Sequence, residues 1–329
     1  MVQARVKDAA LLAAVAFLNR RRLARERRGG PEAQQERQQQ LLEELSRSPL
    51  ALHTREANEQ HYELPAAFFE RVLGPHRKYS SAYWTRACRT LGQAEEAMLE
   101  LYRERALLRE GDRILELGCG WGSLTEAMAH RFPGARIMAL SNSNAQRECI
   151  HRLGLANVQV VTADINDFDP GRRFDRIVSV EMFEHLRNYP LLFRKLRDWL
   201  EPDGKLFFHV FCHRTLAYLF EGNGWMERHF FRGGTMPSST MFLSGFGQLD
   251  LERFWLVDGR HYSRTALAWL YNLRRERGPV LEIFRTVYGR EARQWFFRWE
   301  LFFLACAGLF GFADGTEWML AHYRFRQRP

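Results

Sequence analysis

Sulfur is sparse in this chain and arranged for neither cross-linking nor metal binding. The five cysteines, Cys88, Cys119, Cys149, Cys212 and Cys306, are odd in number and contain no C-x-x-C pair. No disulfide framework, zinc site or other metal is therefore expected, and a reducing, cytoplasmic setting is the default. Long apolar runs are lacking too. The longest, Ala9 to Leu18 and Leu301 to Phe312, fall short of the roughly 20 residues that a spanning helix needs. Acidic residues are scarce at the N-terminus, where residues 1–30 set eight basic side chains against Asp8 and Glu26. That surplus of six supplies most of the formal charge of +9, so the remaining chain is nearly balanced and a nucleic-acid partner is not expected. Apolar and aromatic residues, by contrast, are plentiful. A 46% hydrophobic content with 25 Phe and 9 Trp supports a substantial core in 329 residues.

The chain divides into a basic helical N-terminal extension, 1–60, and a main domain, 61–329. Arg5 to Arg28 reads as a basic helix with an Ala/Leu/Val face, stopped by Gly29-Gly30-Pro31. It is open to three readings: packing on its own domain, lying on an anionic membrane surface, or serving as a presequence. A polar helix, Gln34 to Ser46, and a linker, Pro49 to Asn58, follow. His61-Tyr62-Glu63-Leu64-Pro65 leads into an amphipathic segment, Ala66 to Leu73. The loop Lys78 to Trp84, with Tyr79, Ser80 and Ser81, is costly to leave solvated and is expected to cover something. Leu91 to Leu107 carries Ala94, Ala97, Met98, Leu101 and Ala106 near one face, which predicts a helix.

Ile114 to Leu117 is a short apolar run that ends in glycines at alternate positions, Gly118, Gly120 and Gly122, with a helical segment following from Ser123 to His130. Strand, tight turn and helix place amides and bare backbone against a ligand. A dinucleotide G-x-G-x-x-G turn would need its third glycine one residue later. The E-x-G-x-G-x-G spacing from Glu116 resembles instead the turn of S-adenosylmethionine-dependent methyltransferases. Strands at Arg136 to Leu140, Val158 to Thr162, Phe174 to Val180 and Lys205 to Phe211, with helices at Asn144 to Leu153 and Tyr189 to Leu200, imply a parallel α/β sheet. Ligands in such sheets sit beyond the carboxyl ends of the strands. Asp164 and Ile165 then suit an adenine, and Asn142 and Gln146 suit a ribose or a methionine moiety. Asn142 and Asn144 are equally readable as helix N-caps.

Glu181-Met182-Phe183-Glu184-His185-Leu186-Arg187-Asn188-Tyr189, taken with Gly118 to Gly122, resembles the cyclopropane-fatty-acid synthase superfamily, and most of all its coclaurine N-methyltransferase-like branch. The likeness runs from about His61 to Phe325. It takes in Lys78 to Trp84, Phe211-Cys212-His213, His229 to Ser238, Gly259-Arg260-His261-Tyr262, and Leu309 to Phe312 with Glu317-Trp318-Met319. It implies a Rossmann-like, class I methyltransferase fold of the α/β class. Strands Leu249 to Val257 and Trp318 to Phe325 would close a seven-stranded, mostly parallel sheet whose last strand is antiparallel. A helical lid would come from insertions at about 212–248 and 260–312.

The resemblance further implies S-adenosylmethionine as cofactor, held by Tyr79, Ser80, Glu116, Gly118, Gly120, Gly122, Asn142, Gln146, Asp164 and Ile165. Glu184, His185 and Glu181 would be catalytic: His185 accepts the amine proton, Glu184 orients it or binds the cation, and Glu181 adds negative charge. Glu184 and His185 are also readable as caps of the following helix. The bicarbonate ligands of the synthases would map to Ser81, Glu184, His209, Phe211 and Tyr262. Ser81 and Phe211 depart from the synthase pattern, which favours N-methylation of a small hydrophobic amine over cyclopropanation of a lipid acyl chain. Relatives in the N-methyltransferase branch carry acidic pairs where this chain has Gly222-Asn223-Gly224 and Gly247-Gln248, leaving Glu181 and Glu184 as the acids for a cationic acceptor. Most rings of the helix holding Trp295, Phe296, Phe297, Trp299, Phe302 and Phe303 are expected in the core, with Trp299 and Phe302 facing the acceptor. A homodimer and a peripheral membrane contact through the basic helix are the associations left open.

Overall fold

Apolar runs flanked by amphipathic helices build an open twisted sheet in the computed structural model, which describes residues 2–52, 64–221 and 224–328. The linker residues 53–58, the lead-in His61-Tyr62-Glu63 and the Gly222-Asn223 pair lie outside the described residues. The strands are β1 (Arg113–Leu117), β2 (Arg136–Ser141), β3 (Val158–Thr162), β4 (Phe174–Val180), β5 (Leu200–His213), the two-residue β6 (Tyr218–Leu219) and β7 (Thr235–Met236), β8 (Leu249–Val257) and β9 (Trp318–Gln327). The seven long ones run β3-β2-β1-β4-β5-β9-β8. β1 to β5 are mutually parallel, whereas β9 is antiparallel to both β5 and β8. Strand order reverses between β1 and β4, the place where open α/β sheets bind ligands.

Because side chains alternate across a strand, each face of the sheet has its own core. Ile114, Ile137, Val178, Phe207 and Leu320 face one way, toward α3 (Ala66–Val72), α4 (Leu91–Ala106) and α5 (Ser123–Arg131). Leu115, Met138, Ile177, Phe208 and Tyr323 face the other, where α7 (Tyr189–Trp199) buries Tyr189, Leu192, Phe193, Leu196 and Trp199 along one stripe. Thr90 and Gln93 form a capping box that starts α4. Between β2 and β3 runs α6 (Asn144–His151), and its cap is Ser143, whose hydroxyl accepts from Gln146 N at 3.4 Å, rather than Asn142 or Asn144.

The basic N-terminal segment is α1 (Val2–Glu26), and Gly30-Pro31 opens the next helix, α2 (Gly30–Ser46), instead of merely ending the first. Of the three readings of α1, its inner face follows the first. It packs on α11 (Ala292–Phe310), where a Cβ on Gly308 would fall 2.7 Å from Val15 Cγ1 and where Asn19 donates to the Gly308 carbonyl at 3.2 Å. Arg274, in α9 (Arg260–Arg275), bridges Asp8 and Glu300 at 2.6 and 2.7 Å. Arg27 makes a bidentate pair with Glu317 at 2.7 Å. Helices α9, α10 (Arg277–Tyr288) and α11, with the short α8 (Trp225–His229) and the β6–β7 hairpin, gather over the ends of β4 and β5. There Phe211 meets Phe231 and Phe310 at 5.6 and 6.0 Å between ring centres. After α2, Leu50 is buried, Ala51 bridges to Leu186, and Asn166 holds both the amide and the carbonyl of Ala51. The first residues of the expected linker are thus fixed to the domain.

Candidate active site

The main cavity lies beyond the carboxyl ends of β1, β2, β3 and β4. Its lining includes Tyr79, Ser80, Glu116, Gly118, Gly120, Asn142, Gln146, Asp164 and Ile165, with Glu181 and His185 at the fourth strand end. Nine of the ten expected cofactor residues therefore share one cavity. Gly122 does not line it: with φ +85° it caps α5, and a Cβ there would lie 2.7 Å from Ile150. Gly120, also at positive φ, has no atom within 4 Å of a Cβ position, so the backbone is bare toward a ligand. Glu116 is buried, accepts from Thr125 at 2.6 Å and is pushed up to about 8 by burial. Asp164 Oδ1 accepts from the Asn166 amide and side chain at 2.9 Å. The buried Gln146 Nε2 and Trp121 Nε1 have no hydrogen-bond partner in the structure. The glycine cradle, the carboxylates and these buried donors suit a cofactor with an adenosine and an amino acid end.

The strand-end motif splits its three ionisable residues. Glu181 takes φ +47°, in the left-handed region that non-glycine residues avoid at a cost of roughly 1–3 kcal/mol. Its buried carboxyl accepts from Ser81 N–H at 2.9 Å through Oε1 and from Tyr262 O–H at 2.7 Å through Oε2. His209 Nε2 stands 3.3 Å from Oε1. Burial raises the Glu181 carboxyl, and Lys78, Tyr262 and the Ser81 amide oppose that rise. Glu184 sits on a 3₁₀ turn, Phe183–His185, fully buried and raised by burial and by Glu181, and its Oε1 accepts from Phe211 N–H at 2.6 Å. His185 packs against the Phe231 ring at 4.8 Å and is pushed down to about 4 by burial, which leaves it neutral, with Glu181 acting in the opposite direction. The carboxylate that acts on His185 is therefore Glu181, while Glu184 is turned to the β5 backbone.

The residues mapped to bicarbonate close on a carboxylate of the chain. Ser81, His209 and Tyr262 converge on Glu181, and Glu184 and Phe211 meet through the Phe211 amide. Tyr262 also stacks on Phe310 at 4.4 Å. Trp299 is fully buried among Phe68, Phe69, Phe230 and Phe303, and Phe302 stacks on Phe230 at 4.3 Å, so neither lines the cavity. The expectation that most rings of this helix are core fits Phe296 and Phe303, whereas Phe297 is 40% exposed.

Three residues absent from the sequence reading belong to the site. Tyr102 joins Lys78 to His209, and His322 joins His209 to Arg105. Tyr102 lies on the inner face of α4, and His322 is the direct register partner of His209 across β5 and β9. Only that pairing, with strands over a hundred residues apart, brings them together.

Residues 51–315 match the mycolic acid cyclopropane synthetase family. The chain belongs to that family. It is 36% identical over 300 residues to an (S)-coclaurine N-methyltransferase of Thalictrum flavum subsp. glaucum, covering 88% of this chain and 83% of the relative. It is 28% identical over 272 residues to the cyclopropane-fatty-acyl-phospholipid synthase of Escherichia coli K12, covering 81% and 67%. A solved coclaurine N-methyltransferase, bound to N-methylheliamine and S-adenosylhomocysteine, superposes with a TM-score of 0.90 at 33% identity, over 99% of this chain and all of that one. This member of the mycolic acid cyclopropane synthetase family is thus an S-adenosylmethionine-dependent methyltransferase of class I fold.

Proposed function

We propose that the protein methylates the nitrogen of a small hydrophobic amine. The observation that carries this reading is the Glu181 carboxylate. It is fixed at the edge of the cofactor cavity by Ser81 and Tyr262, beside an imidazole that burial keeps neutral. S-adenosylmethionine supplies an electrophilic methyl group, and an amine must give up a proton before its lone pair can receive one. Glu181 draws the ammonium form to the strand end. His185 takes the proton that neutralises it, a role worth ~10²–10⁴ in rate. Glu184, anchored on the Phe211 amide, holds the turn that carries His185 against β5. Phe211, Phe231 and Phe310 keep water from this end of the site. Cyclopropanation through a bound bicarbonate is disfavoured because two donors mapped to that ion, Ser81 N–H and Tyr262 O–H, are occupied by Glu181.

Transfer of labelled methyl to a panel of aromatic and aliphatic amines, with unsaturated phospholipid vesicles as the comparison, tests the reading on wild type and His185→Ala. Amine methylation that falls at least a hundredfold in the variant supports it. Label in acyl chains would replace it with the lipid reading.

A second association has a specific observation behind it. The outward face of α1 exposes Val6, Phe17 and Leu18, followed along the helix by exposed Arg20, Arg21 and Arg25. We propose a peripheral contact with an anionic lipid surface through this face. Cosedimentation with anionic and neutral vesicles checks it, and equal binding to both would refute the charge component.

A further inference from the structure

Two buried chains of hydrogen bonds begin on permanent donors and meet on one histidine nitrogen. Lys78 is 2% exposed and has acceptors for all three of its N–H bonds: Ser80 Oγ, the Ser81 carbonyl at 2.7 Å and Tyr102 Oη at 3.0 Å. Having accepted from Lys78, Tyr102 has its single proton for His209 Nδ1, 2.8 Å away. The second chain starts at Arg105, a group that only donates, whose Nη1 lies 2.8 Å from His322 Nδ1. That nitrogen must therefore be the acceptor. Burial and neighbouring cations hold His322 neutral, so its proton sits on Nε2, 3.0 Å from His209 Nδ1. Two donors thus point at His209 Nδ1. Its own proton is left on Nε2, the nitrogen that faces Glu181 Oε1 at 3.3 Å and has no other partner.

We propose that Tyr102, Arg105 and His322 are positioning residues that lock His209 in the Nε2–H tautomer, so that Glu181 always faces a donor and His209 never serves as a proton acceptor. The lock rests on the reading of Glu181 as the anchor of the ammonium acceptor. Its use is to keep Glu181 ionised in a site where burial works against the charge. It also confines proton transfer from the acceptor to His185. Releasing the lock lets the His209 proton move to Nδ1 and turns a lone pair toward Glu181, which favours the protonated carboxyl. Because either chain alone can hold His209, both must be cut: Tyr102→Phe and Arg105→Met together release it, and each single change leaves it mostly locked.

The test uses protein labelled with ¹⁵N at histidine and two-bond proton–nitrogen correlation spectra of wild type, both single variants and the double variant. In wild type the expected signals are a protonated Nε2 and a bare Nδ1 for both His209 and His322. In the double variant His209 becomes a tautomer mixture, and the acidic limb of kcat/KM moves up by about one pH unit, the effect of losing one hydrogen bond to a charged group. Adding Arg105→Lys to Tyr102→Phe, in place of Arg105→Met, restores a donor and returns both readings toward wild type. A wild-type spectrum with the His209 proton on Nδ1 overturns the proposal and needs no variant to fold. So does a double variant whose tautomer and pH limb do not move. If the wild-type tautomers are as stated but no amine is methylated, the proposed function fails while the assignment of the lock stands.

Discussion

Replacing Tyr262 with Phe isolates what holds the Glu181 charge. The change removes the hydroxyl that donates to Glu181 Oε2 at 2.7 Å, while the ring keeps its stacking on Phe310. A hydrogen bond to a charged group is worth about 1.5–3 kcal/mol, which corresponds to about one to two pH units. Burial already holds the Glu181 carboxyl above its ordinary value, and loss of the hydroxyl raises it further. Ammonium binding needs the carboxylate, which is present above that pKa and lost as pH falls through it. The acidic limb of kcat/KM for an amine acceptor therefore moves to higher pH by one to two units. At neutral pH KM rises about tenfold or more, and affinity for S-adenosylhomocysteine changes less. The assay is initial rate against amine concentration from pH 5.5 to 9.5, with calorimetric titration of S-adenosylhomocysteine alongside. A variant with an unmoved acidic limb and an unchanged KM would refute the placing of the ammonium at Glu181.

Other consequences can be measured directly. Gly122→Ala puts a Cβ 2.7 Å from Ile150 at φ +85°, so at least about 1–2 kcal/mol of stability is lost, read as a fall in melting temperature, together with weaker cofactor binding. Glu116 is raised to about 8 by burial, so its neutral form is favoured in the fold. Without ligand, wild type loses stability relative to Glu116→Gln as pH rises from the ordinary carboxyl range through 8, and a melting series in which that gap does not change would contradict this. Arg274→Met severs the Asp8 and Glu300 pairs, which are partly exposed, so chemical denaturation should show a loss of about 1 kcal/mol or less. Removing residues 2–29 also uncovers α11 at Gly308 and frees Glu317 from Arg27, so activity falls on soluble amines and on vesicles alike. Retained activity on soluble amines would show that α1 contributes nothing to the lid.

Much of the architecture was legible because parallel strands buried on both faces are plain apolar runs. β3 and β4 appear with the expected ends. β5 is longer than its apolar run, from Leu200 to His213, because Leu200 pairs with Phe174, and Cys212 and His213 pair with Met319 and Trp318 of a distant strand. Glycines and polar residues at the strand ends located the cofactor cavity, since topology alone puts those ends together. The direction of each acid was not legible. Glu181 and Glu184 are three residues apart, and a left-handed residue followed by a 3₁₀ turn sends one to Tyr262 and the other to the Phe211 amide. His322 was hidden for a related reason, since its proximity to His209 depends on the register of β9 between β5 and β8.

The fourth strand end serves two masters. Met182 abuts Gly118 and Glu181 borders the cofactor cavity, yet Glu181 also answers to Tyr262 on a lid helix. The aromatic rings of α11 do not line that cavity. Selection for a new acceptor can therefore rework Trp299, Phe302 and their neighbours at little expense to cofactor binding, but any change at residues 181–182 alters both substrates at once. Acceptor range in this lineage is free to drift in the lid and is pinned at the strand.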